Sequence, residues 1–219
     1  MQTLRRNPPD LADPLALCPA RVHESEGQGR HGFALFQLAR TAGPVFWIVL
    51  AHERDRLLPR ALPEGVAERL HLIEARTGTD LLWAVEEVLR SRPVSLVVAE
   101  PEKPISLTAG RRLQLAAEAG LTTGLMLIRQ GRGSNAVESR WQCDPLPGPA
   151  DSTRHRWSRI KNKQGTIGPH DVSWDGTTAA FHLVSPAGKR CQPEEPPHSG
   201  AIRVDATRVK RGASALPER

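Results

Sequence analysis

Two hydrophobic patterns alternate along the chain. VFWIVLA (Val45–Ala51) and VSLVVAE (Val94–Glu100) are continuous apolar runs, as expected of strands buried on both faces. RLHLIEA (Arg69–Ala75) and LTTGLMLIR (Leu121–Arg129) add two more strands, and Arg21 to Glu24 a short first one. Between them the apolar residues recur at helical spacing. A helix over His31–Thr41 turns Phe33, Phe36 and Leu38 toward a core and ends at Gly43-Pro44. A second, over Asp80–Arg90, follows the turn Thr77-Gly78-Thr79. It aligns Leu81, Leu82, Val85, Val88 and Leu89, with the pair Glu86 and Arg90 on its other side. A third is capped by Thr108, turns Leu113, Ala116 and Ala117 inward, and stops at Gly120. Single helices between strands predict a parallel sheet with right-handed crossovers.

From Gly131 the rhythm becomes strand-rich: Ser139–Leu146, His155–Lys163 and Asp171–Val184, with Asp175-Gly176 as a turn. The fold class expected is therefore α/β. Its sheet is mainly parallel, with an antiparallel C-terminal extension and helices on both faces. Residues 1–20 carry Pro8, Pro9, Pro14 and Pro19 and read as an extended leader. Residues 21–185 form the expected domain. Residues 186–219, basic and poor in apolar side chains, are expected to be disordered.

Composition narrows the function classes. With 219 residues the chain has room for one ordinary domain and a tail. Cys18, Cys143 and Cys191 lie far apart and show no C-x-x-C spacing, so neither a disulfide framework nor a zinc knuckle is expected, and a reducing cytoplasm fits. No apolar run reaches the roughly 18 residues of a membrane span. The net charge of +6 is unevenly placed. Residues 45–128 carry ten basic and eleven acidic side chains, residues 129–163 eight and three. A positive stripe of that kind attracts acidic partners or nucleic acid.

The candidate chemistry lies between the first strand and the first helix, where a phosphate loop would stand. Such a loop needs G-x-x-x-x-G-K-[ST]: glycines for close backbone approach, lysine for the terminal phosphates, a hydroxyl for magnesium. Gly27 and Gly32 have the outer spacing, but Phe33 and Ala34 replace the lysine and the hydroxyl. Ending the loop at Gly29 leaves Arg30-His31. Glu24 and Glu26 would face a tetra-anionic ligand, and Glu100 alone stands where a Walker-B carboxylate would be. Gly27, Gly29, Arg30 and Gly32 are therefore a degenerate nucleotide loop, with no catalytic residue, no cofactor and no metal site expected. The eight histidines form no H-x-x-x-H pair.

Several strings resemble the RecA-type fold and, within it, the ImuA family of inducible-mutagenesis proteins. TGTDLLWAVEEVLRSRPVSLVVAEP (Thr77–Pro101) is similar to the family's helix–strand unit at the Walker-B position. LTAGRRLQLAAEAGLTTGLMLIR (Leu107–Arg129) is close to its "LTASRRLQLAAE" run. SRWQCDPLP (Ser139–Pro147), RHRWSRIKNKQG (Arg154–Gly165) and SWDG (Ser173–Gly176) follow in the family's order, so the resemblance spans about residues 21–184. It implies a non-catalytic accessory protein of SOS-induced translesion DNA synthesis in the cytoplasm. The implied partners are ImuB, an error-prone polymerase and RecA, with weak DNA contact and self-association left open. A SulA-like inhibitor of cell division and a weak DNA-dependent ATPase are the alternatives.

Where RecA carries long DNA-contacting loops, this chain has only Pro101–Ser106 and Gln130–Glu138, without stacking aromatics. Lys161-Asn162-Lys163 resembles the KNK string that in RecA reaches a neighbour's nucleotide. Arg154, Arg156, Trp157, Arg159, Lys161 and Lys163 are therefore the candidate partner or nucleic-acid interface, and a sheet edge guarded by charge would show the same pattern. Trp47 and Trp83 are expected in the core, and Trp157, set among arginines, at an interface.

Overall fold

The structure, a computed structural model, describes residues 13–53, 57–58, 62–147, 153–175 and 180–186. The predicted tail beyond Pro186 and the turn at Gly176 lie outside them. In chain order the elements are β1 (Val22–Glu26), α1 (Arg30–Arg40), β2 (Val45–Leu50), β3 (Leu70–Ala75) and α2 (Gly78–Leu89). There follow β4 (Leu96–Ala99), α3 (Leu107–Gly120), β5 (Thr123–Leu127), β6 (Ser139–Pro145), β7 (Arg154–Asn162), β8 (Gly168–Asp175) and β9 (Ala180–Pro186). A three-residue 3-10 turn, Ala67–Arg69, leads into β3.

One nine-stranded sheet runs β3-β2-β4-β5-β1-β6-β7-β8-β9. Pairing is parallel from β3 to β6 and antiparallel from β6 onward. This is the α/β architecture that the alternation of patterns implies, consistent with the RecA-like fold that the resemblance implies. The continuous apolar runs have their physical reason in the two cores. Trp47 and Val49 of β2 face α1, where Phe33, Ala34 and Leu38 meet them. Ile48 and Leu50 face α2 and α3, where Leu81, Val85, Leu89, Leu113 and Ala117 close the other layer. A strand covered on both sides has no polar position to alternate with. β3, at the sheet edge, does expose Leu72 and Glu74.

Several local expectations need correction. Ser106, not Thr108, caps α3, its Oγ accepting the Ala109 N–H at 3.2 Å. Gly120 does not end that helix by taking the left-handed conformation; Leu121 does, at φ 55°. Gly120 is instead required because a side chain there would collide with the Leu89 carbonyl and the Arg90 backbone. Trp83 is 63% exposed rather than buried. With Leu81, Val85 and Leu89 inward, a residue two positions past Leu81 points away from the core. Glu86, expected on the outer side, is buried and binds both Arg90 (2.6 Å) and Arg112 (2.5 Å).

Candidate functional site

The glycine loop is a three-residue turn, Gly27 to Gly29, between β1 and α1. Gly27 sits at φ 91°, a conformation that strongly favours glycine. The turn is pressed against β6. A Cβ on Gly27 would strike the Cys143 carbonyl and stand 2.7 Å from Asp144 Oδ1; one on Gly29 would stand 2.9 Å from His155 Nδ1. The Gly29 N–H donates to the Cys143 carbonyl at 2.8 Å, and the Phe33 N–H to the Gly29 carbonyl at 3.1 Å. A phosphate loop aims such amides at its ligand. Here one is taken by the neighbouring strand. Arg30 folds back, its Nη1 donating to the Gly27 carbonyl at 3.2 Å. Gly32 lies inside α1, so the Gly27–Gly32 spacing spans a turn and the start of a helix rather than one loop.

Glu24 and Glu26 do not flank a ligand. Glu24 is fully buried and accepts the Ser134 N–H at 2.8 Å and Arg140 Nε at 2.8 Å. Glu26 accepts the Gly131 N–H at 3.0 Å. Burial pushes the Glu24 carboxyl up, against the pull of the Ser134 amide and Arg140. The two carboxylates thus latch the segment Gln130–Glu138 onto β1. Gly133 makes room for the Arg140 guanidinium, which also donates to the Ser134 carbonyl at 2.8 Å.

Glu100 follows β4, two strands from β1 with β5 between. Its Oε2 meets His31 Nε2 at 2.8 Å, and its Oε1 accepts the Trp47 indole N–H at 2.8 Å. The His31 and Trp47 rings stack with centroids 6.2 Å apart. Burial by itself would raise the Glu100 pKa. The His31 hydrogen bond and charge, the Trp47 donor and nearby Arg30 outweigh that and hold it below the usual carboxylate range. The Walker-B-like position is therefore an ionised carboxylate already engaged by two side chains of this chain.

The candidate basic strand is β7, and it is interior to the sheet, paired with β6 and β8, so charge does not guard an edge there. Trp157 is wholly buried and not at a surface: its ring lies 5.1 Å from Phe33 and 5.0 Å from Phe36. Alternation along the strand sends it inward while Arg156 points out. Arg156 forms a two-bond pair with Asp171, at 2.7 and 2.9 Å. Arg159 lies over the Trp141 ring at 4.4 Å and donates to the Pro14 carbonyl. Lys161 donates to the Asn135 carbonyl at 2.9 Å and Lys163 to that of Ala136 at 2.7 Å. Arg154 is half-buried at the start of the strand. The structure thus brings Lys161 and Lys163 onto the Gln130–Glu138 segment, with Arg156 and Arg159 elsewhere.

Sequence reasoning missed Arg140, the β6 backbone at Cys143 and the leader residues around Leu15. Only Arg140 left a signal, as a lone cation two positions from Gln142 in a strand opposite buried glutamates. Among the described residues, no group of three or more His, Cys, Asp or Glu could hold a metal ion, and no helix is long and apolar enough to cross a membrane. Cys18 and Cys143 are free thiols; burial, with Asp144 and Glu26 adding to it, pushes the Cys143 thiol well up.

These features define a RecA-like α/β protein whose phosphate-loop position is closed by its own sheet. No model of a known protein family matches the chain. It is 37% identical over 120 residues to Protein ImuA of Caulobacter vibrioides strain NA1000 / CB15N, and equally to Protein ImuA of strain ATCC 19089 / CIP 103742 / CB 15. Each match covers 49% of this chain and 48% of the relative, so the chain spans about half the length of the curated relatives it matches. Over that half, the chain is similar to the ImuA proteins.

Proposed function

We propose that this protein is a non-catalytic adaptor of an SOS-induced translesion-synthesis complex, working through contacts with an ImuB-like protein and an error-prone polymerase. The observation that carries this reading is the Gly29 amide donated to the Cys143 carbonyl at 2.8 Å. A loop packed on β6, lacking the lysine and hydroxyl, offers no cradle for a triphosphate. What such a scaffold retains is surface. The likeness to Protein ImuA supplies the mutagenesis context. The test is purification of the tagged chain from cells after DNA damage. Recovery of a polymerase-like protein, identified by mass spectrometry, is expected; recovery of none would sink the reading.

The ionised state of Glu100, which the charge of Arg30 helps to hold, favours one other reading, a weak ATPase. Titration of labelled ATP with magnesium, with and without DNA, separates the two. The adaptor reading expects no saturation at micromolar ATP. Micromolar binding that Arg30→Ala weakens would favour the ATPase.

A further inference from the structure

Helix α3 carries an outward stripe that is left largely open among the described residues. Leu107, Arg111 and Leu115 recur at i, i+4 and i+8, on one face. Leu107 is 47% and Leu115 65% exposed. Beside them lies a hollow of about 380 Å³ between α3 and the Gln130–Glu138 segment, with Ala136 and Lys163 on its far wall. Leucines presented two turns apart on one helix face, next to a concavity, are the shape that receives an amphipathic helix.

Charge selects the occupant. Among the described residues, no carboxylate lines the hollow. On the helical layer, Glu86 is held by Arg90 and Arg112, and Glu118 by Arg21. Arg111 is exposed and enters no ion pair among the described residues. Lys163 donates one N–H hydrogen bond to the Ala136 carbonyl and also lines the hollow. Gln114, which also lines it, is used internally, donating to the Val22 and Ala136 carbonyls. The hollow therefore presents two cations around an aliphatic floor. Single-stranded nucleic acid fits it poorly, because among the described residues no aromatic ring lines it to stack on a base.

We propose that the α3 stripe and this hollow form a docking groove for an acidic amphipathic helix of a partner protein. Two apolar residues two turns apart would seat against Leu107 and Leu115, and a carboxylate on the turn between them would meet Arg111 and Lys163. Such pairing across an interface fixes register and speeds encounter. The proposal rests on the adaptor reading for the existence of a partner and adds where that partner sits and what it looks like.

The test places a photoreactive benzoylphenylalanine at Leu115 in the full chain, with the same label at exposed Glu87 as control. Crosslinks are formed in DNA-damaged cells and mapped by mass spectrometry. The expected product, at Leu115 and not at Glu87, is a protein segment with apolar residues and carboxylates at helical spacing. Arg111→Glu should cut its yield at least tenfold, whereas Arg111→Lys should retain half or more. Thermal melts of both variants check that the fold is kept. Crosslinks to nucleic acid, to a second copy of this chain or to a segment without acidic character overturn the proposal, as does a yield indifferent to Arg111. If Arg111→Glu still co-purifies the polymerase-like partner undiminished, the groove is wrong and the adaptor reading stands. If the unmodified chain recovers no partner, both fall.

Discussion

His23 shows how a residue without catalytic partners can still govern the behaviour of the molecule. It is enclosed between the leader and β6. Its Nε2 meets the Cys18 carbonyl at 2.9 Å, and since a carbonyl only accepts, that nitrogen carries the proton. Its Nδ1 therefore accepts from the Ser139 hydroxyl at 2.7 Å, and Ser139 in turn accepts the Trp141 indole N–H at 3.1 Å. Burial, the dominant cause, pushes the imidazole pKa down to about 4 from 6.5. Below pH 6.5 the unfolded chain takes up a proton that the folded chain refuses until about pH 4. Stability therefore falls as pH drops through that window, by at most about 3 kcal/mol. Glu24 works in the opposite sense, because its raised pKa favours protonation in the folded state. Comparison with His23→Gln isolates the histidine. The variant should be less stable at pH 7 and lose clearly less than the parent between pH 6.5 and 4.5 in urea unfolding. An identical loss in both proteins would show that His23 is not the acid-sensitive group.

At the scale of elements, the latch ties the Gln130–Glu138 segment to β1 through two buried carboxylates. Arg140→Met removes the guanidinium from a buried carboxylate and should cost about 3–5 kcal/mol. The double variant Glu24→Gln/Arg140→Met should recover more than half of that, with faster amide exchange at Gly131 and Ser134 in the single variant. A single-variant loss under about 1 kcal/mol would mean that the pair does not hold the segment. This latch also marks how far the sequence could be read. The strands β2 and β4 were legible because burial on both faces leaves a continuous apolar run, and α2 because Leu81, Val85 and Leu89 keep helical phase. The missing lysine and hydroxyl were legible too, since they are absences at fixed spacing. Glu24 and Glu26 read as ligand-facing because their true partners are two backbone amides and Arg140, over a hundred positions away in sequence. Trp157 read as an interface residue because its arginine neighbours hide that alternation points it inward. The closure of the glycine turn was illegible for a plainer reason: its partner is a carbonyl, which every residue has.

On the scale of the whole molecule, the leader belongs to the core it precedes. Residues 13–20 form neither helix nor strand, yet Leu15 is only 4% exposed among the α1-face residues. Gln37 donates to the Leu15 carbonyl at 2.8 Å, Asp13 pairs with Arg40, and Arg159 reaches across from β7 to the Pro14 carbonyl. The leader thus ties α1, β1 and β7 together, elements from distant parts of the chain. This bears on the basic strand, because Arg159 is turned toward the leader and Trp141 rather than toward solvent. Leu15→Ala empties a buried leucine site and should cost about 2–5 kcal/mol, the range set by how far the site collapses. The loss should be global, because the side chain closes a core shared by α1 and the sheet. Native-state hydrogen exchange distinguishes global from local effects. Slow amides in α1 and β7 should accelerate together, by the factor that matches the lost unfolding free energy. Faster exchange confined to residues 13–20, with a stability change under about 1 kcal/mol, would instead show a leader that merely rests on the domain. In that case Arg159 and the Trp141 face would be released by local opening and become available to partners, and the adaptor surface would have to be extended to include them.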